Sequence, residues 1–322
     1  MKITVILASL LIGALQSQAM EWPDGQITFH VENESGKPLA NVAVETVVFD
    51  QSKPPATYKV VTSTTDIRGF AVVNTPNIAK EYSYIVRGSN GYYSSGGLYK
   101  FVCSTNGQWL PWNPTVKIIL KPIGVRVPMY ARTVGWETSL PENNRAIGYD
   151  LEIGDWVTPY GNGITSDFVF TLERKSTSVT QDFNATLTLT FHNDGDGIQS
   201  IMSDSSGSSF RIPRSAPEDG YDSKVVLQMH REDGKPMVGV LTNPDQNYFF
   251  RIRTKKDERG NIVSAKYGKI YGGMGWDIFH SQTAQLQFTY YFNPEPSSRN
   301  MEFNPKMNLS KNLKFNEGVN AP

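Results

Sequence analysis

The run Gln285-Leu286-Gln287-Phe288-Thr289-Tyr290-Tyr291-Phe292 decides the fold. Leu286, Phe288, Tyr290 and Phe292 alternate with Gln285, Gln287 and Thr289. Successive side chains of an extended chain point to opposite faces, so such a run buries one face and wets the other. The same period of two recurs elsewhere. Ile27, Phe29 and Val31 alternate with Thr28 and His30, and Phe168, Phe170 and Leu172 keep the spacing. Leu187, Leu189 and Phe191 stand among Thr186, Thr188 and Thr190. Gly, Pro, Asn and Asp cluster between these runs and supply turn geometry. No window of a dozen residues keeps an apolar stripe at helical spacing without a breaker. Short strands with regular turn punctuation predict an all-β chain of antiparallel β-sandwiches.

The N-terminus reads as an export signal. Lys2 is a short positive region, Ile3 to Leu15 is apolar apart from Thr4, Ser9 and Gly13, and Ser17-Gln18-Ala19 offers small residues for cleavage after Ala19. The apolar run is shorter than the roughly 20 residues of a membrane span. No later segment is long and apolar enough to be a transmembrane helix, so the expected location is secreted or periplasmic. The chain has 31 basic and 31 acidic residues, and removing the signal removes one Lys. That balance offers no basic footprint for nucleic acid and no polybasic anchor for anionic lipid.

Four segments carry a family resemblance. Ile27 to Val31 leads into Glu34-Ser35-Gly36-Lys37-Pro38-Leu39-Ala40-Asn41-Val42-Ala43-Val44. Thr64-Thr65-Asp66-Ile67-Arg68-Gly69-Phe70-Ala71-Val72 turns at Asp66 and Gly69. Tyr82 to Gly88 is followed by Gly91-Tyr92, and Thr115 to Pro122 closes the set. In this order they resemble the carboxypeptidase-regulatory-like family, a small transthyretin-type β-sandwich. The pattern departs from the family between Tyr93 and Asn113. The resemblance implies an accessory or spacer module with no catalytic residues, and some related sandwiches bind glycans. Fold does not imply function.

Length predicts two domains. The expected layout is a signal peptide at 1–19, the carboxypeptidase-regulatory-like sandwich at 20–122, a second, larger sandwich at 123–292 and an Asn-rich strap at 293–322. Within the second domain, 123–162 reads as irregular, and Tyr248–Arg253 should form a hairpin through Asp257–Asn261 with Ile262–Tyr271. Leu286 to Phe292 reads as the last strand. Tyr271-Gly272-Gly273-Met274-Gly275 reads as a bend or bulge, because no helix follows to make a phosphate site. Gly36-Lys37-Pro38-Leu39 and Gly234-Lys235-Pro236-Met237 echo each other, each followed three residues on by Val. Either a sandwich is duplicated or one turn recipe is used twice. Cys103, the sole cysteine, reads as a buried small hydrophobe; a reactive thiol or intermolecular bridge is the other reading. Asn300, Asn304, Asn308, Asn312, Asn316 and Asn320 recur every four residues, which reads as chance spacing in an extended or partly helical strap. The strap could instead dock on an envelope partner.

Chemistry is sparse. His30, His192, His230 and His280 lie far apart and show no metal-ligand spacing. In His192-Asn193-Asp194-Gly195-Asp196-Gly197, Asp194 and Asp196 fit two positions of a calcium loop, but His192 and Ser203 stand where carboxylates belong. A plain turn explains the same residues. Calcium is the one cofactor candidate. Glu152, Asp155 and Asp167 are the acids near aromatics that a glycan hydrolase would need as a pair. Trp136, Tyr149, Trp156 and Tyr160 with Asp155 are the candidate ligand-binding set, since flat rings beside hydrogen-bonding groups suit sugars. The same aromatics could fill an interface between domains. Trp109 and Trp112 offer a second aromatic tip. The sequence therefore points to a non-catalytic exported protein that binds a glycan or other surface ligand. A structural or assembly component of the cell envelope is the alternative, and a secreted hydrolase the third reading.

Overall fold

The computed structural model describes residues 22–50, 57–76, 80–88, 91–175, 183–203, 207–232, 234–239, 243–279 and 282–322, without the side chains of 49 and 50. The expected signal segment, Val240 and His280 lie outside these residues. The described chain is all-β, and its one helical element is a 3-10 turn at Phe315–Glu317. It forms two compact units. One holds the chain up to Val31 with Leu39–Ile85 and Leu98–Lys117; the other holds Glu32–Pro38, Val86–Gly97 and Ile118–Pro322.

The earlier strands are β1 (Asp24–Asn33), β2 (Ala43–Asp50), β3 (Thr57–Thr64), β4 (Phe70–Pro76), β5 (Glu81–Val86), β6 (Ser95–Lys100), β7 (Cys103–Thr105), β8 (Gln108–Leu110) and β9 (Thr115–Leu120). One sheet runs β4-β1-β8-β7 with β9 also on β1, and the other places β6, β5, β2 and β3 side by side. Ile27, Phe29 and Val31, the alternating residues of β1, are fully buried. Phe29 of β1 meets Tyr84 of β5 at 5.1 Å between ring centroids, which joins the two sheets into a sandwich. The turn at Asp66 forms as expected: its Oδ1 accepts from the N–H groups of Arg68 and Phe70, and Gly69 takes a φ of 79°.

Cys103 corrects the sequence reading. The apolar run 99–102 does not continue into it, because β6 ends at Lys100 and Phe101 turns inward while Val102 is 75% exposed. Cys103 opens the three-residue edge strand β7 and is exposed.

The later strands are β10 (Val127–Ser139), β11 (Ile147–Asp150), β12 (Asp155–Trp156), β13 (Phe168–Arg174), β14 (Phe183–Thr190), β15 (Gly197–Met202), β16 (Gly207–Ser208), β17 (Lys224–Arg231), β18 (Gln246–Lys256), β19 (Ile262–Asp277), β20 (Gln285–Asn293) and β21 (Phe303–Asn308). They build a six-stranded sheet, β15-β18-β19-β20-β10-β21, and a five-stranded sheet, β12-β11-β13-β14-β17. Phe168 and Phe170 of β13 meet Phe250 and Phe288 of the six-stranded sheet at 5.1 and 6.1 Å. This aromatic layer is the core of the second sandwich.

The β18–β19 hairpin forms as the alternation predicts, and the register shift between Tyr271 and Gly275 is the expected bulge. Two expectations fail. Residues 127–139 are not irregular but form a long strand, whose alternation is hidden by a bulge between Val134 and Thr138. Nor is β20 the last strand, since β21 pairs in parallel with β10. Asn300, Asn304 and Asn308 each accept, through Oδ1, the N–H two residues on, at 2.9, 3.2 and 3.0 Å. Each of these three side chains closes a local Asx-type bond with the backbone.

Candidate functional site

The sequence-derived aromatic set divides in the fold. Tyr149 on β11 and Trp156 on β12 pack edge-to-face at 5.2 Å and are buried in the core. Tyr160 packs half-buried at the core margin, with the Arg145 guanidinium 5.9 Å above its ring. Trp136 is 40% exposed, and its ring edge lies so close to Gly275 that a Cβ there would stand 3.0 Å from it. Tyr149, Trp156 and Asp155 come together at a cavity of about 350 Å³ that neither Trp136 nor Tyr160 lines.

Polar groups frame this cavity. Asp155 accepts the Trp156 N–H through Oδ1 at 2.8 Å, and Asn162 N–H and Nδ2 through Oδ2 at 2.9 and 3.0 Å. Arg132 donates to the carbonyls of Gly154 and Lys311 at 2.9 and 3.2 Å. Gly154, at a φ of 72°, sits against the guanidinium, where a Cβ would fall 2.6 Å from Nε. Lys311, Lys314 and Glu317 from the C-terminal run complete the rim.

Beside the cavity lies an acid network that sequence reasoning recognised only in part. Asp150 accepts four backbone N–H groups, from Glu152, Ile153, Ile164 and Thr165. Burial alone would raise its pKa, but these four bonds outweigh it and hold the carboxyl below its ordinary range. Asp167 is grasped by Arg253 through two bonds, Nε–Oδ1 at 2.8 Å and Nη2–Oδ2 at 2.9 Å. Burial pushes Asp167 up against the pull of Arg253. Burial also opposes the charge on Arg253, and Asp167, Glu152 and Asp150 outweigh it and hold the guanidinium up. The remaining Nη1 donates to Glu152, which also meets Lys266 Nζ at 3.3 Å. Arg253 itself holds a left-handed φ of 54°. Two acids that a hydrolase would need free, Glu152 and Asp167, thus share one guanidinium. No sequence pattern marked Arg253, because in sequence it reads as an outward residue of the alternating run, whereas the strand shifts register between Ile252 and Lys255.

Asp194 and Asp196 have separate partners. Asp194 is exposed and binds Lys256 Nζ at 2.5 Å. Asp196 is buried; it accepts Thr254 N–H at 2.8 Å, and Asn193 Nδ2 and Arg253 N–H at 2.9 and 3.2 Å. Among the described residues no three His, Cys, Asp or Glu side chains converge on a metal-sized space. Lys269 was also missed. It is fully buried, with Nζ 4.2, 4.4 and 5.1 Å from the ring centroids of Tyr271, Tyr291 and Phe210, and it donates to the Pro322 carbonyl at 3.1 Å. Burial holds its amine well below the ordinary lysine range, opposed by the charge of Glu302.

No family model and no curated protein matches this chain. Among solved structures, it is similar to the shaft pilin SpaA from Lactobacillus rhamnosus GG at 12% identity and a TM-score of 0.23, over 79% of this chain and 90% of that one. It is similar to the pilus adhesin RrgA from Streptococcus pneumoniae at 14% identity and a TM-score of 0.19, over 57% of this chain and 21% of that one. The fimbrial protein FimP from Actonomyces oris is matched at 8% identity and a TM-score of 0.22, over 84% of this chain and 56% of that one. Likeness at this level is too low to carry a function across. Among the described residues no helix is long and apolar enough to cross a membrane.

Proposed function

We propose that the chain is an exported, non-catalytic structural or assembly component of the cell envelope. One observation carries this reading: the side chains best suited to chemistry are tied to the chain's own architecture. Asp150 and Asp196 hold backbone N–H groups, Asp167 and Glu152 clamp Arg253, and Tyr149 and Trp156 are core. Such ties rigidify loops and occupy these four acids, which a hydrolase would need free. The signal-like N-terminus and the resemblance of residues 25–122 to a spacer module support the same reading. Fractionation of the native cell combined with crosslinking tests it. The chain should be found in the envelope fraction within a stable complex. A free, uncomplexed protein in the cytoplasm would refute it.

The cavity beside Asp155 favours a second reading, a glycan site. Its rim mixes donors and acceptors, as hydroxyl recognition requires, and its volume of about 350 Å³ suits one sugar residue. A glycan array probed with the full chain tests this, and a blank array across many polysaccharides removes it.

A further inference from the structure

An arginine bonded to acids has its charge answered within the fold, whereas one that meets no acid keeps its donors for a ligand. Arg211 and Arg214 line one cavity of about 490 Å³ in the second unit and show this contrast. Arg214 is committed. It bonds Glu34 at 3.1 Å and the Pro122 carbonyl, and its Nε stands 3.3 Å from buried Glu302. Glu34, the one acid lining the cavity among the described residues, is thereby taken up. Arg211 is not committed. Its backbone N–H donates to Tyr271 Oη and its carbonyl accepts from Lys121 Nζ, but among the described residues its guanidinium makes no hydrogen bond and no ion pair. Lys121, on the same cavity, has three donors and uses one on that carbonyl at 3.1 Å. Burial pulls its amine below the ordinary lysine range; Glu34 opposes this and Arg214 adds to it. Ser203 adds a buried hydroxyl on the cavity lining that has no hydrogen-bond partner among the described residues.

We propose that this cavity binds an organic anion, its charged head held by Lys121 and Arg211 and its apolar body lying along Ile201 and Met202. Two cations without an acid of their own on one concave wall select a negative head, and a carboxylate or a phosphate monoester offers the acceptor oxygens that both can share. The body follows from size and lining. The volume lies within the range of small-molecule sites, about 300–1,000 Å³, and far exceeds that of a bare inorganic ion. Ile201 is half-buried and Met202 is 60% exposed, so an apolar body laid over them would take apolar surface out of water. This cavity and the one beside Asp155 share no lining residue, so the inference stands apart from the glycan reading.

Titration calorimetry of the full chain with octanoate, octyl phosphate and the uncharged octan-1-ol tests this. At least one of the two anions should bind saturably, and octanol should bind about tenfold more weakly or not at all. Tighter binding of octanoate assigns a carboxylate head, and tighter binding of octyl phosphate a phosphate head. Arg211→Gln and Lys121→Gln should each weaken the anion about tenfold. Arg211→Gln should leave the melting temperature unchanged, because the guanidinium holds nothing else among the described residues, so its lost binding is not lost folding. Lys224→Gln, at an exposed lysine of β17, should bind like the parent and so separates the site from general attraction to positive charge. The inference is overturned if neither anion binds saturably, if octanol binds as tightly as the anions, or if binding survives the changes at positions 121 and 211.

Discussion

The side-chain amide of Asn308 pairs with the backbone of Ala131 as another strand residue would. Asn308 Nδ2 donates to the Ala131 carbonyl at 2.8 Å, and the Ala131 N–H donates to Asn308 Oδ1 at 3.1 Å. A carboxamide carries the same donor and acceptor as a peptide group, so it continues the ladder where β21 itself cannot. Ala131 is fully buried, and without the amide both its backbone groups lose their partners. Leaving a buried polar group unpaired costs about 1–3 kcal/mol. Asn308→Ala should therefore lower stability by about that amount and speed protease cleavage within 303–322. Equal melting and equal cleavage in the variant would show that the amide does not hold the strap.

The Arg253–Asp167 clamp predicts a larger effect of opposite character for single and double changes. Asp167 has no exposed side-chain surface, and Arg253 retains 23%. Asp167→Ala leaves a part-buried guanidinium with Glu152 and, at 3.9 Å, Asp150 as its remaining acids, and breaking such a pair from one side typically costs about 3–5 kcal/mol when it is buried. Replacing both with apolar residues of similar volume removes the unpaired charge, and the double variant should recover much of the loss. Urea unfolding of the two single variants and the double variant reads this directly. Additive losses would mean that the two residues act independently.

Asp150 sets an acid limit. Its folded pKa lies below the ordinary value, so folding favours the carboxylate. The stabilisation is complete above the unfolded pKa of about 3.9 and is lost as pH falls through the lower folded value. Asn at this position offers one acceptor oxygen in place of two, and the bonds to Ile164 and Thr165 share one oxygen while those to Glu152 and Ile153 share the other. Asp150→Asn should be markedly less stable than the parent at pH 7, with the gap closing below about pH 4. Asp167 shifts the other way, and the charge of Asp150 contributes to that shift, so part of the variant's effect passes through Asp167. A gap that stays constant down to pH 2 would count against the backbone bonds as its source.

These cases mark how far the sequence could be read. Alternation revealed β1, β13, β14 and β20, because one face of each is buried and the other wet. It missed β10, where a bulge breaks the period. Tyr149, Trp156 and Asp155 were recognisable as a group from composition, yet whether a ring is core or platform depends on what packs over it, and that is set by strands far away in sequence. The local backbone bonds of Asn300, Asn304 and Asn308 were not legible, since an Asx-type bond in an extended segment leaves no hydrophobic period to accompany it. Cys103 was misread because the strand before it ends at Lys100, two residues short of Val102.

Lys269 was invisible for a related reason, since a lysine in an alternating strand reads as a solvent-facing residue. In the fold it lies among Tyr271, Tyr291 and Phe210 and donates to the Pro322 carbonyl. Burial disfavours its ammonium form, and Glu302 offsets this only in part. The folded pKa therefore lies below the unfolded value of about 10.4, folding releases a proton, and the parent protein should gain stability as pH rises toward that value. Lys269→Met keeps the aliphatic bulk and removes the titration. The variant should be more stable than the parent at pH 7, and its advantage should shrink as pH approaches 10. The same change deprives the Pro322 carbonyl of its donor, so hydrogen exchange at residues 319–321 should quicken even as the global midpoint rises. A variant less stable than the parent at both pH values would show that the aromatic cage stabilises the ammonium more than burial opposes it.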